Sequence, residues 1–146
     1  MHKPGSRRRY RVAIFVAALA ALVSMRESVA AEPTATVIEF YNTALDHYFI
    51  TAFPEEAAML DQGLVVPGWK RTGVSWQAWA GAADDPAAQP VCRFYGSPSG
   101  PNSHFYTADP AECALVEQES AWRFEAIAFY VEVPQNGVCR DGTTPV

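Results

Sequence analysis

The sequence has 146 residues, 11 of them basic and 16 acidic, for a formal net charge of −5 at pH 7. That length fits one domain, or one domain behind a leader. Six of the basic side chains (Lys3, Arg7, Arg8, Arg9, Arg11 and Arg26) fall near the N-terminus, so the chain after Ala31 keeps 5 basic and 15 acidic residues, a charge of −10. A field of that sign repels phosphate backbones and anionic lipid, which argues against nucleic acid as a partner.

The first element in chain order is a leader. Lys3 and the arginines at 7, 8, 9 and 11 form a positive region ahead of the twelve apolar residues Val12 to Val23. Small residues at Ser28-Val29-Ala30-Ala31 then suit a leader peptidase, so cleavage is expected after Ala31 or Ala30. Twelve apolar residues are too few for a membrane span, which needs about 20. Residues 1–31 are therefore read as a signal peptide, with no membrane span left after cleavage. The run Ser6-Arg7-Arg8-Arg9-Tyr10-Arg11 resembles the twin-arginine export signal, although a general secretory leader with extra arginines reads the same way. Either route delivers the protein to the periplasm or the cell exterior.

Residues 32–146 are expected to form a single domain built from two copies of one motif, over about 37–80 and 91–133. The first copy runs Val37-Ile38-Glu39-Phe40-Tyr41-Asn42, then Asp46-His47-Tyr48-Phe49-Ile50-Thr51-Ala52, Pro54-Glu55-Glu56-Ala57, Trp69 and Gly73-Val74-Ser75-Trp76. The second runs Val91-Cys92-Arg93-Phe94-Tyr95-Gly96, then Ser103-His104-Phe105-Tyr106-Thr107-Ala108, Pro110-Ala111-Glu112-Cys113, Trp122 and Ala126-Ile127-Ala128-Phe129. The offset is 54 at the Phe-Tyr pair, 56 at Thr-Ala and 53 at Trp, which loop-length changes between matched elements explain.

Within each copy, Val-x-x-Phe-Tyr predicts a short strand with Glu39 or Arg93 facing water. His47 to Thr51 and His104 to Thr107 predict its hairpin partner. Phe53-Pro54 and Asp109-Pro110 open helices; Asp109 has the side chain of an N-cap, with proline at the first helical position and Glu112 in the first turn. The first helix is expected to stop near Gly63. A last strand follows each tryptophan, over Gly73 to Ala80 and Glu125 to Val133. Gly81 to Pro90, rich in Ala, Asp and Pro, reads as an exposed linker with Asp84 and Asp85 solvated. One such unit has too little core to stand alone. The expected fold class is therefore α+β: two strand-strand-helix-strand repeats sharing an aromatic core, with an antiparallel sheet and a pseudo-twofold. Pro145-Val146 lies 55 residues after Pro90-Val91, so a third copy is expected to have been lost or to follow.

The three cysteines, Cys92, Cys113 and Cys139, contain no Cys-x-x-Cys pair, which argues against a zinc ribbon and a thioredoxin-like site. An exported domain of this size gains from one disulfide. Alignment of the copies sets Cys92 at the place of Ile38 and Cys113 at that of Ala57, both facing the space between helix and sheet, which favours Cys92–Cys113. Loop entropy alone does not separate this from Cys113–Cys139, each worth about 3 kcal/mol.

Together the motifs Phe-Tyr-Asn … Asp-His-Tyr-Phe-Ile-Thr-Ala and Phe-Tyr-Gly … Ser-His-Phe-Tyr-Thr-Ala-Asp-Pro-Ala-Glu-Cys resemble a secreted aromatic repeat of bacterial and fungal exported proteins, catalogued as a domain of unknown function. The resemblance spans Val37 to Val146. It implies export, repetition and frequent attachment to other secreted modules such as hydrolases, and it carries no catalytic residues to transfer. This chain differs in having two full copies and no attached enzyme.

His47 and His104 are the two histidines after the leader, and the alignment gives them one station. Asp46-His47 and Ser103-His104 supply residue types of a hydrolase triad. Neighbours on a strand point to opposite faces, however, and no Gly-x-Ser-x-Gly elbow is present. A metal site needs the twofold to bring the histidines together, and no i, i+4 ligand spacing supports one. Glu56 and Glu112, a conceivable glycosidase pair, sit at equal helix starts where the dipole accounts for them. Exposed rings offer platforms for sugars or peptides. Tyr41 and Tyr95 share the Glu39/Arg93 face, and Trp76 and Trp79 face opposite sides of one strand.

The sequence thus points to an exported, non-enzymatic module without catalytic residues, metal or cofactor. Its expected partner is cell-wall glycan or another exported protein, bound through His47, His104, Tyr41, Tyr95, Trp76 and Trp79. The competing expectations are a secreted hydrolase using His47 or His104, and a purely structural envelope protein.

Overall fold

A computed structural model describes residues 35–145; the leader expected over residues 1–31 lies outside the described residues. The chain folds into strands β1 (Ala35–Asn42) and β2 (His47–Thr51), helix α1 (Pro54–Asp61), strands β3 (Trp69–Ala78), β4 (Gln89–Gly96) and β5 (His104–Thr107), helix α2 (Pro110–Val116) and strand β6 (Trp122–Val131). The strands form two three-stranded antiparallel sheets, ordered β2-β1-β3 and β5-β4-β6.

This corrects the expected fold class. The α+β architecture with helical repeats on one antiparallel sheet gives way to a mostly β protein with two separate sheets and two short helices of eight and seven residues. The reason is local. The central strands β1 and β4 each have both edges taken by neighbours in their own half, so neither can pair with the other. The strands after each tryptophan run for ten residues, longer than either helix.

Strand β1 is covered on both faces. Val37 packs with Ala78, Val91, Ala128 and Phe129 in a cluster drawn from both sheets. Phe40 points the other way and packs with Phe49, Ala57 and Leu60 beneath α1. Burying one such phenylalanine is worth about 1.5–3 kcal/mol.

The helices are anchored by different means. Helix α1 buries Ala57 and Leu60, and Leu64 N–H closes back on Met59 O past Gly63, whose φ of +66° ends the helix. Helix α2 buries no residue. It is capped by Asp109, whose Oδ1 accepts from the N–H groups of Ala111 and Glu112, and it is tied to β4 by the Cys92–Cys113 disulfide. Cys139 is a free thiol.

Two seams join the sheets. Trp79 and Tyr130 exchange main-chain hydrogen bonds of 3.1 and 2.9 Å. On the other side, the Tyr106 hydroxyl donates to Ile50 O (2.9 Å) and accepts from Ile50 N–H (3.1 Å), so a β5 side chain occupies the outer edge of β2.

The linker is exposed at Ala82, Ala83, Pro86 and Ala87, but Asp85 is not solvated as expected. Asp85 is buried, accepting from Ala87 N–H at 2.8 Å and from Arg140 at 2.6 Å. Arg140 also contacts Glu132, which ties the linker and the C-terminal segment to the end of β6. These hydrogen bonds hold the Asp85 carboxyl below the usual range.

Candidate functional site

At the end of β1, the fully buried Asn42 organises two loops. Its Oδ1 accepts from Ala44 and Leu45 N–H, and its Nδ2 donates to Pro67 O at 3.0 Å. Gly68 lies against it at φ +99°, where a Cβ would come within 3.2 Å of the amide. The loops so fixed carry Leu45, Val65 and Val66, which with Met59 and Leu60 of α1 make an apolar wall. The facing wall comes from the second sheet and is polar: Arg93 and Tyr95 of β4, His104 of β5, and Arg123 and Glu125 of β6. Between the walls lies a cleft of about 430 Å³.

Arg93 is the centre of the polar wall. It was expected to face water, yet it is 5% exposed. Its guanidinium makes a two-pronged pair with Glu56 of α1, at 2.7 and 2.8 Å, and lies 4.9 Å from the centre of the Phe49 ring. Its Nε sits 3.1 Å from Glu125 Oε2 without the alignment of a hydrogen bond. The partners come from separate elements, and only the tertiary fold brings them together. Breaking such a buried pair from one side leaves an uncompensated charge.

Glu56 also accepts from the Thr51 hydroxyl at 2.6 Å. Burial opposes its ionisation, but the hydrogen bonds from Arg93 and Thr51 outweigh that and hold the carboxyl below its ordinary value. Burial likewise opposes the charge on Arg93, and the Glu56 carboxylate more than restores it. His104 Nε2 stands 3.3 Å from Glu125 Oε2, and its ring meets the edge of Phe49 at 4.7 Å. Burial, with the Arg93 charge acting in the same sense, lowers the His104 pKa, and the Glu125 carboxylate opposes the shift. Glu125 Oε1 meets Arg123 at a long 3.4 Å.

The expected site residues divide accordingly. His47, Tyr95 and His104 line the cleft. The histidines do not share one position: His104 stands opposite Tyr95, whereas Tyr48 stands opposite Tyr41 and His47 opposite Asn42. Tyr41 lies outside the cleft, its ring 4.7 Å from that of Tyr48 and its hydroxyl donating to Asp46 at 2.6 Å. Trp76, partly buried, packs against the inter-sheet cluster and Trp79 is buried, and neither lines the cleft; the alternation that set them on opposite faces does not carry past Ala78, where β3 ends and Trp79 pairs with Tyr130 instead. Glu56 belongs to the cleft while Glu112 is exposed on α2, and the two are not paired.

Arg93, Glu56 and Glu125 as a group escaped the sequence reading. The available signal was an arginine amid apolar neighbours, Val91-Cys92-Arg93-Phe94-Tyr95, in a chain with five basic residues after the leader.

Chemically the cleft presents committed groups. A glycosidase acid needs a raised pKa, whereas the Glu56 carboxyl is held low by Arg93. The lining includes no Ser, Thr, Cys or Lys side chain beside His104. Among the described residues no cluster of three His, Cys, Asp or Glu side chains has the placement to hold a metal ion. The apolar wall is uncovered, and the second Glu125 oxygen has only the long contact to the exposed Arg123.

Comparison with curated proteins and with solved structures finds no match. The family described as Domain of unknown function (DUF5648) matches residues 22–132, most of the chain, and the protein belongs to that family.

Proposed function

We propose that the protein is an exported, non-enzymatic binding module that holds an extracytoplasmic partner, cell-wall glycan or another exported protein, in the cleft between its sheets. In this reading residues 1–31 are the leader, and residues 32–146 are one domain of two related halves. Export is supported by the Cys92–Cys113 disulfide, a bond typical of oxidising compartments. Among the described residues no helix is long and apolar enough to cross a membrane.

The observation that carries the binding reading is the cleft itself. One wall is aliphatic and uncovered, with Met59, Val65 and Val66 at 42%, 52% and 50% exposure, and the other is a rigid ion network. An apolar concavity with a few convergent polar groups is the usual form of a ligand site. The experiment is retention of the full chain on purified peptidoglycan, on a glycan array and on immobilised exported proteins. Retention should be lost in Val65→Asp/Val66→Asp, whose side chains are half exposed and whose fold should survive. A protein retained nowhere, or retained equally by the variant, would refute the cleft as the binding site. A hydrolase reading would need the His104–Glu125 contact to move a proton; turnover of a glycan or ester substrate, lost in His104→Gln with the fold intact, would favour it instead.

A further inference from the structure

We infer, building on the cleft reading above, that the occupant is a peptide segment carrying an apolar side chain next to a lysine or arginine. Two features of the cleft point to that chemistry. The first is the aliphatic wall. Leu45, Met59, Val65 and Val66 offer no hydrogen bond, and three of them are 42–52% exposed. Hydroxyl groups pressed against such a wall would lose water without replacement, whereas an apolar side chain would remove both surfaces from solvent.

The second is Glu125 on the wall opposite. Its Oε2 is held between Arg93 and His104, while its Oε1 has the 3.4 Å contact to Arg123, a side chain 75% exposed. An arginine so exposed and so distant is readily displaced, and the oxygen it leaves is a fixed acceptor for an incoming cation. Arg123 is the group that an arriving lysine or arginine replaces. Within the cleft Arg93 and Arg123 balance Glu56 and Glu125, while the chain after Ala31 as a whole carries 15 acidic and 5 basic residues, a long-range field that draws cationic partners. A neutral glycan carries no cation to take the place of Arg123.

The test is fluorescence anisotropy of the full chain with three labelled synthetic peptides of equal length: a leucine/lysine peptide, a leucine/glutamate analogue and a serine/lysine analogue. The leucine/lysine peptide should bind at least roughly tenfold more tightly than either analogue, because each analogue removes one of the two required features. Its affinity should fall with added salt. A Val65→Ser/Val66→Ser variant, which removes the apolar wall without adding charge, should weaken it by roughly tenfold or more, with an unchanged circular dichroism spectrum and melting temperature. Equal binding by wild type and variant, or equal binding of the serine/lysine peptide, would assign the attraction to the acidic surface and overturn the inference. Retention on peptidoglycan that the variant abolishes, with no affinity for the leucine/lysine peptide, would overturn the peptide class and leave the cleft as a glycan site. No binding of either probe would overturn the inference, and with no retention on exported proteins either it would sink the cleft reading as well.

Discussion

Removing the disulfide should unfasten α2 while leaving α1 in place. The Cys92→Ala/Cys113→Ala variant opens a loop with a sequence separation of 21. In the chain-entropy treatment a cross-link over that span contributes about 3.3 kcal/mol at 25 °C by restricting the unfolded chain. Roughly 110 folding residues carry about 0.23 kcal/mol/K of unfolding entropy, so the melting temperature should fall by about 14 °C. The loss should also be uneven. Helix α1 keeps Ala57 and Leu60 in the core, whereas α2 buries no side chain and retains only its cap and main-chain bonds, such as Glu117 N–H to Cys113 O. Thermal unfolding by circular dichroism gives the first quantity, and amide exchange resolved by residue gives the second. The amides of Glu117 and Gln118 should exchange much faster in the variant than in wild type, with that of Gln62, just past the end of α1, little changed. A fall of less than about 5 °C, or unaltered protection at Glu117, would refute this account of what holds α2.

Other outcomes follow from the seams and the ion network. Tyr106→Phe deletes the hydroxyl that serves both Ile50 N–H and Ile50 O; urea denaturation should show a loss of about 1–3 kcal/mol, with faster exchange of the Ile50 amide. Arg93→Met leaves Glu56 and Glu125 without their shared cation, and should cost about 3–5 kcal/mol at neutral pH. The double variant Arg93→Met/Glu56→Leu should recover part of that loss in the same assay. His104 has its pKa lowered on folding, chiefly by burial, so its neutral form is the one the fold favours. That contribution is complete above the unfolded value of about 6.5 and is lost as pH falls below it. Urea midpoints measured from pH 7.5 to 5 should therefore decline, and His104→Gln should flatten the decline over that interval; equal slopes would refute the assignment.

Local features of the fold were legible because local chemistry sets them. Asp109-Pro110 reads as a helix start, and Asp109 Oδ1 caps the first turn of α2. The halves of each hairpin were visible in alternating aromatic and β-branched residues. The number of sheets was not legible, because it depends on which strand edges the hairpins leave free, a property of register and twist. The site was hidden for a similar reason. An arginine in a strand reads as solvent-facing, and Arg93 departs from that rule because it meets Glu56, 37 residues earlier on α1, and Glu125, on β6, neither marked by spacing. The histidine assignment failed through a one-residue slip: a His-aromatic pattern aligns by eye at His47, while the pairing partner of the central strand shows that Tyr48 answers to His104. A slip of one reverses the face of every side chain in a strand.

Tyr106 has a meaning beyond the joint it makes. The outer edge of a short strand presents main-chain donors and acceptors that invite pairing by any extended chain, including another copy of the same protein. By occupying both Ile50 groups, a single phenol blunts that edge without a proline or an inward-facing charge. Association that begins by strand addition at β2 must first displace Tyr106, so the residue protects the protein against aggregation at a place where its own sequence, His-Tyr-Phe-Ile-Thr, would otherwise promote it.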